Sequence, residues 1–284
     1  MLSRIVLVCG VAALVGVLAG CGGSTGSGSR TIVASFSPLA YAAAQVAGPH
    51  DEIVDLTRAG AEPHDLELGP RDVVRVHDAH LVVYVGRGFQ PAVEDALHGR
   101  KGPSLDVLSG IRLHGSGDDV DPHVWLDPRR YEQVAREIAA ALGDRSRAAA
   151  FVRRLSTLDA TLARGLRHCE RRTLVTSHAA FGYFAERYGL RQVALVGLAP
   201  DAEPGPRAVG RLADEVRATG ATTVFTEPLV SEKLAQTVAR EAGAATAELD
   251  PLEVLSPSEE AGGADYFTVM RKNLTVLRQA LGCT

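Results

Sequence analysis

Short apolar runs alternate with helical patterns along most of the chain, and this alternation constrains the fold more than any other feature. The runs are rich in valine, isoleucine and leucine, as in Thr31–Ser35 and Leu81–Val85. Each is followed by a segment in which apolar residues recur at steps of three and four. This order predicts parallel strands connected by crossover helices, because parallel neighbours need a long connection.

The alternation is interrupted once, by a long helical pattern at residues 146–168. Its apolar residues recur in three- and four-residue steps from Phe151 to Leu166. A helix of this length spans about 33 Å, enough to cross from one domain to another. The strand and helix order then repeats. The sequence therefore predicts two α/β lobes with parallel-type sheets, residues 30–145 and 169–284, joined by one long rigid linker helix. A chain of 284 residues is long enough for two domains, each with its own core.

The N-terminus predicts export. Residues 1–20 carry one positive charge, then an apolar run too short for a comfortable membrane span, then small residues, as in a secretory signal peptide. The sequence Leu18-Ala19-Gly20-Cys21 resembles the bacterial lipobox, in which the cysteine is lipidated and begins the mature chain. Residues 21–29 would then be a flexible tether. We expect a protein that is lipid-anchored on the outer face of the cytoplasmic membrane, which is the cell surface.

Composition excludes some partners. The chain is 46% apolar and has a formal net charge of −4. Nucleic acids and anionic membrane surfaces are bound by basic patches. The charge balance therefore favours neither of them as a partner.

Four side chains with metal-binding chemistry occupy similar places in the pattern. His64, His178 and Asp250 each follow an apolar run, and ligands of open α/β sheets bind at the carboxyl ends of strands. His123 follows Pro122 in a short run whose prolines restrict the backbone on both sides. A lone histidine is more often structural, and the spacing of these residues forms no short local motif. Together, however, three imidazoles and one carboxylate make a four-coordinate set that suits one divalent metal ion, above all zinc, in a cleft between the lobes.

The stretches around these residues carry a resemblance to a known family. The matching segments are Glu62-Pro63-His64-Asp65, Asp121-Pro122-His123-Val124-Trp125-Leu126-Asp127-Pro128, Ser177-His178-Ala179-Ala180-Phe181-Gly182-Tyr183-Phe184, Ala202-Glu203-Pro204, Phe225-Thr226-Glu227-Pro228 and Leu249-Asp250-Pro251-Leu252. With them, almost the whole mature chain resembles the metal-specific solute-binding lipoproteins of ABC importers, which hold a zinc or manganese ion between two lobes bridged by a long helix.

This resemblance implies a function and a ligand set. It implies a monomeric receptor, not an enzyme, that delivers a metal ion to an ABC permease with its ATPase. Carried over position by position, the family's metal ligands fall on His64, His123, His178 and Asp250. Manganese-type members usually have a glutamate where His178 stands, so the resemblance implies Zn2+, with Mn2+ as the alternative. A secreted zinc hydrolase and an adhesin-type lipoprotein remain as functions of other classes.

The chain departs from the family pattern at two places. Many zinc members carry a long loop rich in histidine before the second ligand, whereas residues 112–121 contain His114 as their one histidine. Some zinc members also have a glutamate directly before the first histidine, where this chain has Pro63. Glu62 is therefore not included among the predicted ligands.

Two further predictions concern residues outside this set. Glu227 ends an apolar run, and it either accepts a hydrogen bond from a ligand imidazole or caps the helix that begins near Ser231. Cys169 and Cys283 are the cysteines left once Cys9 of the signal peptide and the lipidated Cys21 are set aside. Because the compartment is oxidising, we expect them to form a disulfide, and some zinc-type relatives also tie down their last helix in this way.

Overall fold

A computed structural model describes residues 29–115, 119–200, 205–228, 231–254, 259 and 261–284. The predicted signal peptide, the lipobox with Cys21, nearly all of the tether and the Ala202-Glu203-Pro204 segment lie outside the described residues. Among the helices that are described, none combines the length and the apolar character needed to cross a membrane.

The first lobe contains a four-stranded parallel sheet with helices between its strands. Its strands and helices alternate as Thr31–Ala34 (β1), Ser37–Val46 (α1), Glu52–Asp55 (β2), Pro70–Asp78 (α2), Leu81–Tyr84 (β3), Pro91–Ala96 (α3) and Ser104–Asp106 (β4). The spatial order of the strands is β2-β1-β3-β4, and all pairs are parallel.

Two helices follow this sheet. The first is Pro128–Ala141 (α4), which has proline in its first turn and Asp127 as its N-cap. The second is Ala148–Gly165 (α5), the longest helix of the described chain. Its 18 residues span about 27 Å. This is shorter than the predicted segment 146–168, because residues Arg145–Arg147 form a separate 3₁₀ turn and the helix ends at Gly165.

The second lobe repeats the topology of the first. Its elements are Thr173–Thr176 (β5), Gly182–Tyr188 (α6), Arg191–Ala194 (β6), Pro206–Thr219 (α7), Thr223–Thr226 (β7), Lys233–Ala242 (α8), Ala245–Glu248 (β8) and Tyr266–Leu281 (α9). The strand order is β6-β5-β7-β8, again parallel throughout. These two sheets confirm the predicted fold class of two α/β lobes.

The core does not divide into two halves, in contrast to the expectation of one core per lobe. The largest cluster of buried apolar residues runs from Ile32 in the first sheet through Trp125 and Leu155 to Phe267 of the last helix. Smaller clusters lie against the other face of each sheet. Within β1, Ile32 belongs to the large cluster and Val33 to a small one, because successive side chains of a strand point to opposite faces.

Hydrogen bonds also join the two lobes. The indole Nε1 of Trp125 donates to the carbonyl oxygen of Pro251 at 2.8 Å. The hydroxyl of Tyr266 donates to the carbonyl oxygen of Trp125 at 2.7 Å. All of these residues are buried, so the two lobes meet through a buried, hydrogen-bonded interface near the predicted metal site.

The last helix is fixed at its end by a covalent link. Cys169 and Cys283 form a disulfide with an S–S distance of 2.04 Å, as the sequence led us to expect. The two residues are 114 positions apart, and they also form an isolated antiparallel bridge. The disulfide therefore closes a loop that contains most of the second lobe.

We expect removal of this disulfide to destabilise the protein. The double substitution Cys169→Ser and Cys283→Ser should lower the free energy of unfolding by about 2–4 kcal/mol, because the unfolded chain regains the entropy that the link removes. Urea denaturation measures the change, with reduced wild-type protein as the control that should match the variant. Two free thiols in the unreduced, unfolded wild-type protein would contradict the prediction.

Candidate metal centre

Three imidazoles and one carboxylate converge between the two sheets. The group consists of His64, His123, His178 and Glu253, and one ligand atom from each lies within 4.8 Å of the others. Glu253 Oε1 is 3.0 Å from His123 Nε2, 3.3 Å from His178 Nε2 and 3.4 Å from His64 Nε2. The Nε2 atoms of His123 and His178 are 3.3 Å apart. The centre is therefore built from one nitrogen of each ring and one oxygen of the glutamate.

These separations fit the coordination of zinc. Four ligands at the usual zinc distances of about 2.0–2.1 Å form a tetrahedron whose edges measure about 3.3–3.4 Å. The separations from Glu253 Oε1 to the three rings, and the separation between His123 and His178, lie at or slightly below that length. Four of the six edges thus already match a tetrahedral ion, and the other two, from the His64 ring to the rings of His123 and His178, are within 4.8 Å.

His123 is oriented by the aspartate two residues before it. Asp121 Oδ1 accepts hydrogen bonds from the backbone N–H of His123 at 3.0 Å and from its ring Nδ1 at 2.8 Å. Because Nδ1 carries the proton of this bond, Nε2 is the nitrogen left for a metal. The prolines at 122 and 128 bracket the segment, as the sequence suggested, and His123 is fully buried.

His178 is oriented in the same way by a residue from the neighbouring strand. β5 and β7 are adjacent and parallel, so the residues that follow them, His178 and Glu227, emerge side by side. Glu227 Oε1 accepts from the backbone N–H of His178 at 3.0 Å, and Oε2 accepts from Nδ1 at 2.5 Å. Of the two roles considered for Glu227, the structure shows the orienting one.

His64 lies on the loop between β2 and α2. Its backbone N–H donates to Glu62 Oε1 at 3.2 Å, and its ring packs edge-on against Phe89 with centroids 4.5 Å apart. The buried amide of Gln90 donates to the carbonyl oxygen of Pro63 at 3.1 Å. The side chain of His64 is 11% exposed, in contrast to the fully buried His123 and His178.

The fourth group of the centre is Glu253 rather than the predicted Asp250. Both residues follow β8, but Oδ1 of Asp250 accepts from the backbone N–H of Leu252 at 2.7 Å and so forms part of a turn. Leu252 adopts φ +60°, a left-handed conformation, and the chain beyond it brings Glu253 to the three histidines.

Sequence reasoning missed Glu253 for an identifiable reason. The apolar run ends at Leu249, and the rule that ligands follow strand ends selects the first carboxylate after it. Glu253 is the other acidic residue between Leu249 and Val254, and that was the available signal. The turn that brings Glu253, rather than Asp250, to the histidines depends on the left-handed backbone conformation of Leu252. Sequence patterns do not predict such a conformation for leucine.

The charges of the centre compensate one another. Burial raises the pKa of Glu253, but hydrogen bonds from His123, His178 and His64 outweigh it and hold that pKa well below its usual range. Burial lowers the pKa of His178, but hydrogen bonds to Glu227 and Glu253 outweigh it and raise the pKa to about 10. The pKa of His123 is also raised, because its bonds to Asp121 and Glu253 outweigh burial. Outside the cluster, burial raises the pKa of Asp250 to about 7.

A small cavity beside the centre has an acidic lining. Its walls are formed by Glu62, Glu227, Pro228, Asp250, Pro251, Glu253 and Val254. Carboxylates concentrated around a small space produce a negative potential that attracts cations. The surroundings of the centre therefore favour a metal cation over an anion.

The short loop before His123 is tied to the second lobe. His114 Nε2 is 2.9 Å from Glu186 Oε2, and its ring stacks on Tyr183 with centroids 4.2 Å apart. Tyr183 donates its hydroxyl proton to the carbonyl oxygen of Asp121 at 2.8 Å. The loop histidine thus pairs with a helix of the other lobe in the described part of the chain.

The structure has two α/β lobes, each with a parallel sheet, and three imidazoles and a carboxylate gathered between them. These are the features of a bilobal metal-binding protein. A family model described as zinc-uptake complex component A, periplasmic (ZnuA), matches residues 32–280. The chain belongs to this family.

Individual relatives agree with the family. The chain is 34% identical over 279 residues to the zinc-binding lipoprotein AdcA of Streptococcus pneumoniae, covering 89% of this chain and 56% of AdcA. It thus spans about half the length of the curated relatives it matches first. It is 28% identical to the high-affinity zinc uptake system protein ZnuA of Bacillus subtilis, over 95% of this chain and 96% of that protein. The crystal structure of the Zn(II)-bound ZnuA-like domain of Streptococcus pneumoniae AdcA superposes with a TM-score of 0.77 at 34% identity, over 89% of this chain and 99% of that domain.

The raised pKa of His178 predicts that metal binding releases protons. At pH 7 a group with a pKa of about 10 is protonated, whereas a ligand imidazole must be neutral. The affinity for zinc should therefore rise with pH from the ordinary histidine range near 6.5 up to about 10. Calorimetry in buffers of different ionisation enthalpy should find at least one proton released at pH 7.

The substitution Glu227→Gln tests the cause of this shift. Loss of the carboxylate should lower the pKa of His178 and reduce the number of protons released. Glu232→Gln, which changes an exposed glutamate five residues along the chain, is the control and should behave like the wild type. Equal proton release by wild type and Glu227→Gln would contradict the explanation.

Proposed function

We propose that the protein is an extracytoplasmic zinc-binding receptor, which captures the ion between its lobes and delivers it to an ABC permease for import. One observation carries the proposal: ligand atoms from four separate segments converge within 4.8 Å of one another, and four of their six separations are 3.0–3.4 Å, close to the edges of a zinc tetrahedron. The ligands are His64, His123, His178 and Glu253.

The donor set favours zinc over manganese. Three imidazole nitrogens and one carboxylate oxygen suit the borderline-soft, four-coordinate preference of zinc, whereas manganese prefers oxygen ligands and higher coordination. With a single carboxylate, the loaded centre keeps a net charge near +1. The curated relatives named above as zinc-binding or zinc-uptake proteins support this choice.

The same set favours a receptor over a hydrolase. A catalytic zinc site uses three protein ligands and keeps its fourth position for water or substrate. Here four protein groups occupy the four positions and two of the rings are fully buried, which suits tight retention of the ion.

The organisation of the chain follows from this role. We propose a signal peptide at residues 1–20, a lipid on Cys21, a tether at residues 21–29, and lobes at residues 30–145 and 169–284 joined by the helical linker at residues 146–168. The partners are a membrane permease and its ATPase, and the receptor acts as a monomer. Mass spectrometry of membrane-derived protein tests the anchor, since an unmodified Cys21 would contradict it.

Binding and uptake can be tested together. Protein purified without added metal should contain one equivalent of zinc by elemental analysis, and zinc should outcompete manganese in calorimetric titration. A strain that lacks the protein should grow poorly under zinc limitation and recover when the wild-type chain is restored. Normal zinc uptake in the deletion strain would overturn the transport role, even if the purified protein binds zinc.

Two carboxylate substitutions test the ligand set. Glu253→Gln should weaken zinc binding by more than about 100-fold, beyond the range of about 10–100-fold that is usual for groups outside the coordination sphere. Asp250→Asn is the matched control, because asparagine keeps the oxygen that accepts from Leu252 N–H and so preserves the turn. Its zinc affinity should change by less than about 10-fold. An equal loss of zinc affinity in Asp250→Asn would indicate that Asp250, as first predicted, is a metal ligand.

A further inference from the structure

The last helix contains a buried amide for which its own secondary structure gives no reason. Asn273 lies within α9 and is 2% exposed. Asparagine is a poor helix former, since its side chain competes with the backbone for hydrogen bonds. Asn273-Leu274-Thr275 matches the acceptor sequence for N-glycosylation, but a buried side chain that is already hydrogen-bonded cannot serve as an acceptor. The residue therefore calls for another explanation.

Both polar ends of this side chain bind the backbone of Asp250. Asn273 Oδ1 accepts from the N–H of Asp250 at 3.1 Å, and Nδ2 donates to the carbonyl oxygen of Asp250 at 2.7 Å. The hydrogen bonds between β7 and β8 end one residue earlier, where the N–H of Leu249 donates to the carbonyl oxygen of Thr226. The amide thus continues, for one residue, the pairing that a neighbouring strand would provide.

This contact holds the start of the turn that carries Glu253. Within the turn, Leu252 N–H donates to Asp250 Oδ1, and the carbonyl oxygen of Pro251 accepts from the indole of Trp125. Asn273 therefore fixes the first residue of a segment whose last residue reaches the three histidines. We infer that Asn273 is a positioning residue for the metal ligand Glu253, an inference that rests on the proposed function.

The helix itself has other supports. Its N-terminus is capped by Asp265, the hydroxyl of Tyr266 bonds to Trp125, and the disulfide at Cys283 follows its C-terminal end. Loss of the Asn273 amide would leave two buried backbone groups of Asp250 without partners, whereas the helix would keep these attachments. The effect of a substitution should therefore appear at the turn, and through it at the metal centre.

The test compares two substitutions on the same helix. Asn273→Leu keeps a branched side chain with the same number of heavy atoms, although a slightly bulkier one, and removes both hydrogen bonds. Leu277→Ala, one turn further on, removes buried apolar volume and leaves both hydrogen bonds to Asp250 in place, and it serves as the control for general destabilisation. Zinc affinity is measured by competition with a chelator, the visible spectrum of the Co2+-loaded protein reports ligand geometry, and thermal unfolding of the metal-free protein reports stability.

We expect Asn273→Leu to bind zinc about 10–100-fold more weakly than wild type and to change the Co2+ spectrum. Leu277→Ala should unfold at a lower temperature and keep the wild-type affinity and spectrum. If Asn273→Leu does not fold, Asn273→Ser replaces it, because a short hydroxyl cannot reach both backbone groups. Wild-type affinity and spectrum in the folded Asn273 variant would overturn the inference, as would an equal loss of affinity in Leu277→Ala.

The wild-type protein and Glu253→Gln separate this inference from the proposed function. If the wild type binds zinc and Glu253→Gln does not, an unaffected Asn273 variant refutes the positioning role alone. If the wild type fails to bind zinc, or if Glu253→Gln retains full affinity, the proposed centre is wrong and the role of Asn273 falls with it.

Discussion

Glu253 places a carboxylate almost fully out of water, and the surrounding centre compensates the cost of that burial. An unpaired buried carboxylate costs several kcal/mol, and here three imidazoles face the same oxygen at 3.0–3.4 Å. Those rings compensate the charge in either of two ways, by holding protons or by sharing a metal cation with it. At the proposed zinc site, protons and the metal would therefore compete for the same ring nitrogens, and either would balance the charge of Glu253.

The four groups can meet because the two lobes share a core. Each comes from a different segment, and none is brought to the others by local sequence. Trp125 stands at the junction, packed among apolar residues of both lobes and bonded to Pro251 and, through its carbonyl oxygen, to Tyr266. Wide separation of the lobes would expose this core and break both bonds, whereas movement of a loop would not. Metal access at the partly exposed His64 thus requires less disruption than opening of the whole interface.

The sequence was most informative where function depends on the period of a strand or on proline. His178 follows an apolar strand and His123 is bracketed by X-Pro bonds, so the positions of both follow from the sequence pattern. The parallel topology of both sheets followed from the alternation of strands and helices. The continuous core could not be predicted in this way, because it depends on how α4, α5 and α9 pack together. Nor could the sequence choose between the two carboxylates that follow β8.

The behaviour of aspartate in this protein explains why the sequence pattern selected Asp250 and not Glu253. In several turns an aspartate oxygen accepts a hydrogen bond from the backbone N–H two residues further on, a local bond that suits the short side chain of aspartate. These aspartates are Asp55, Asp106, Asp121, Asp127, Asp144 and Asp250. At the end of a strand, therefore, aspartate first stabilises the turn that redirects the chain. Glutamate has one more methylene group, and in the last of these turns it is Glu253 that reaches the three histidines. The shorter carboxylate, Asp250, thus shapes the turn, and the longer one, Glu253, faces the three histidines.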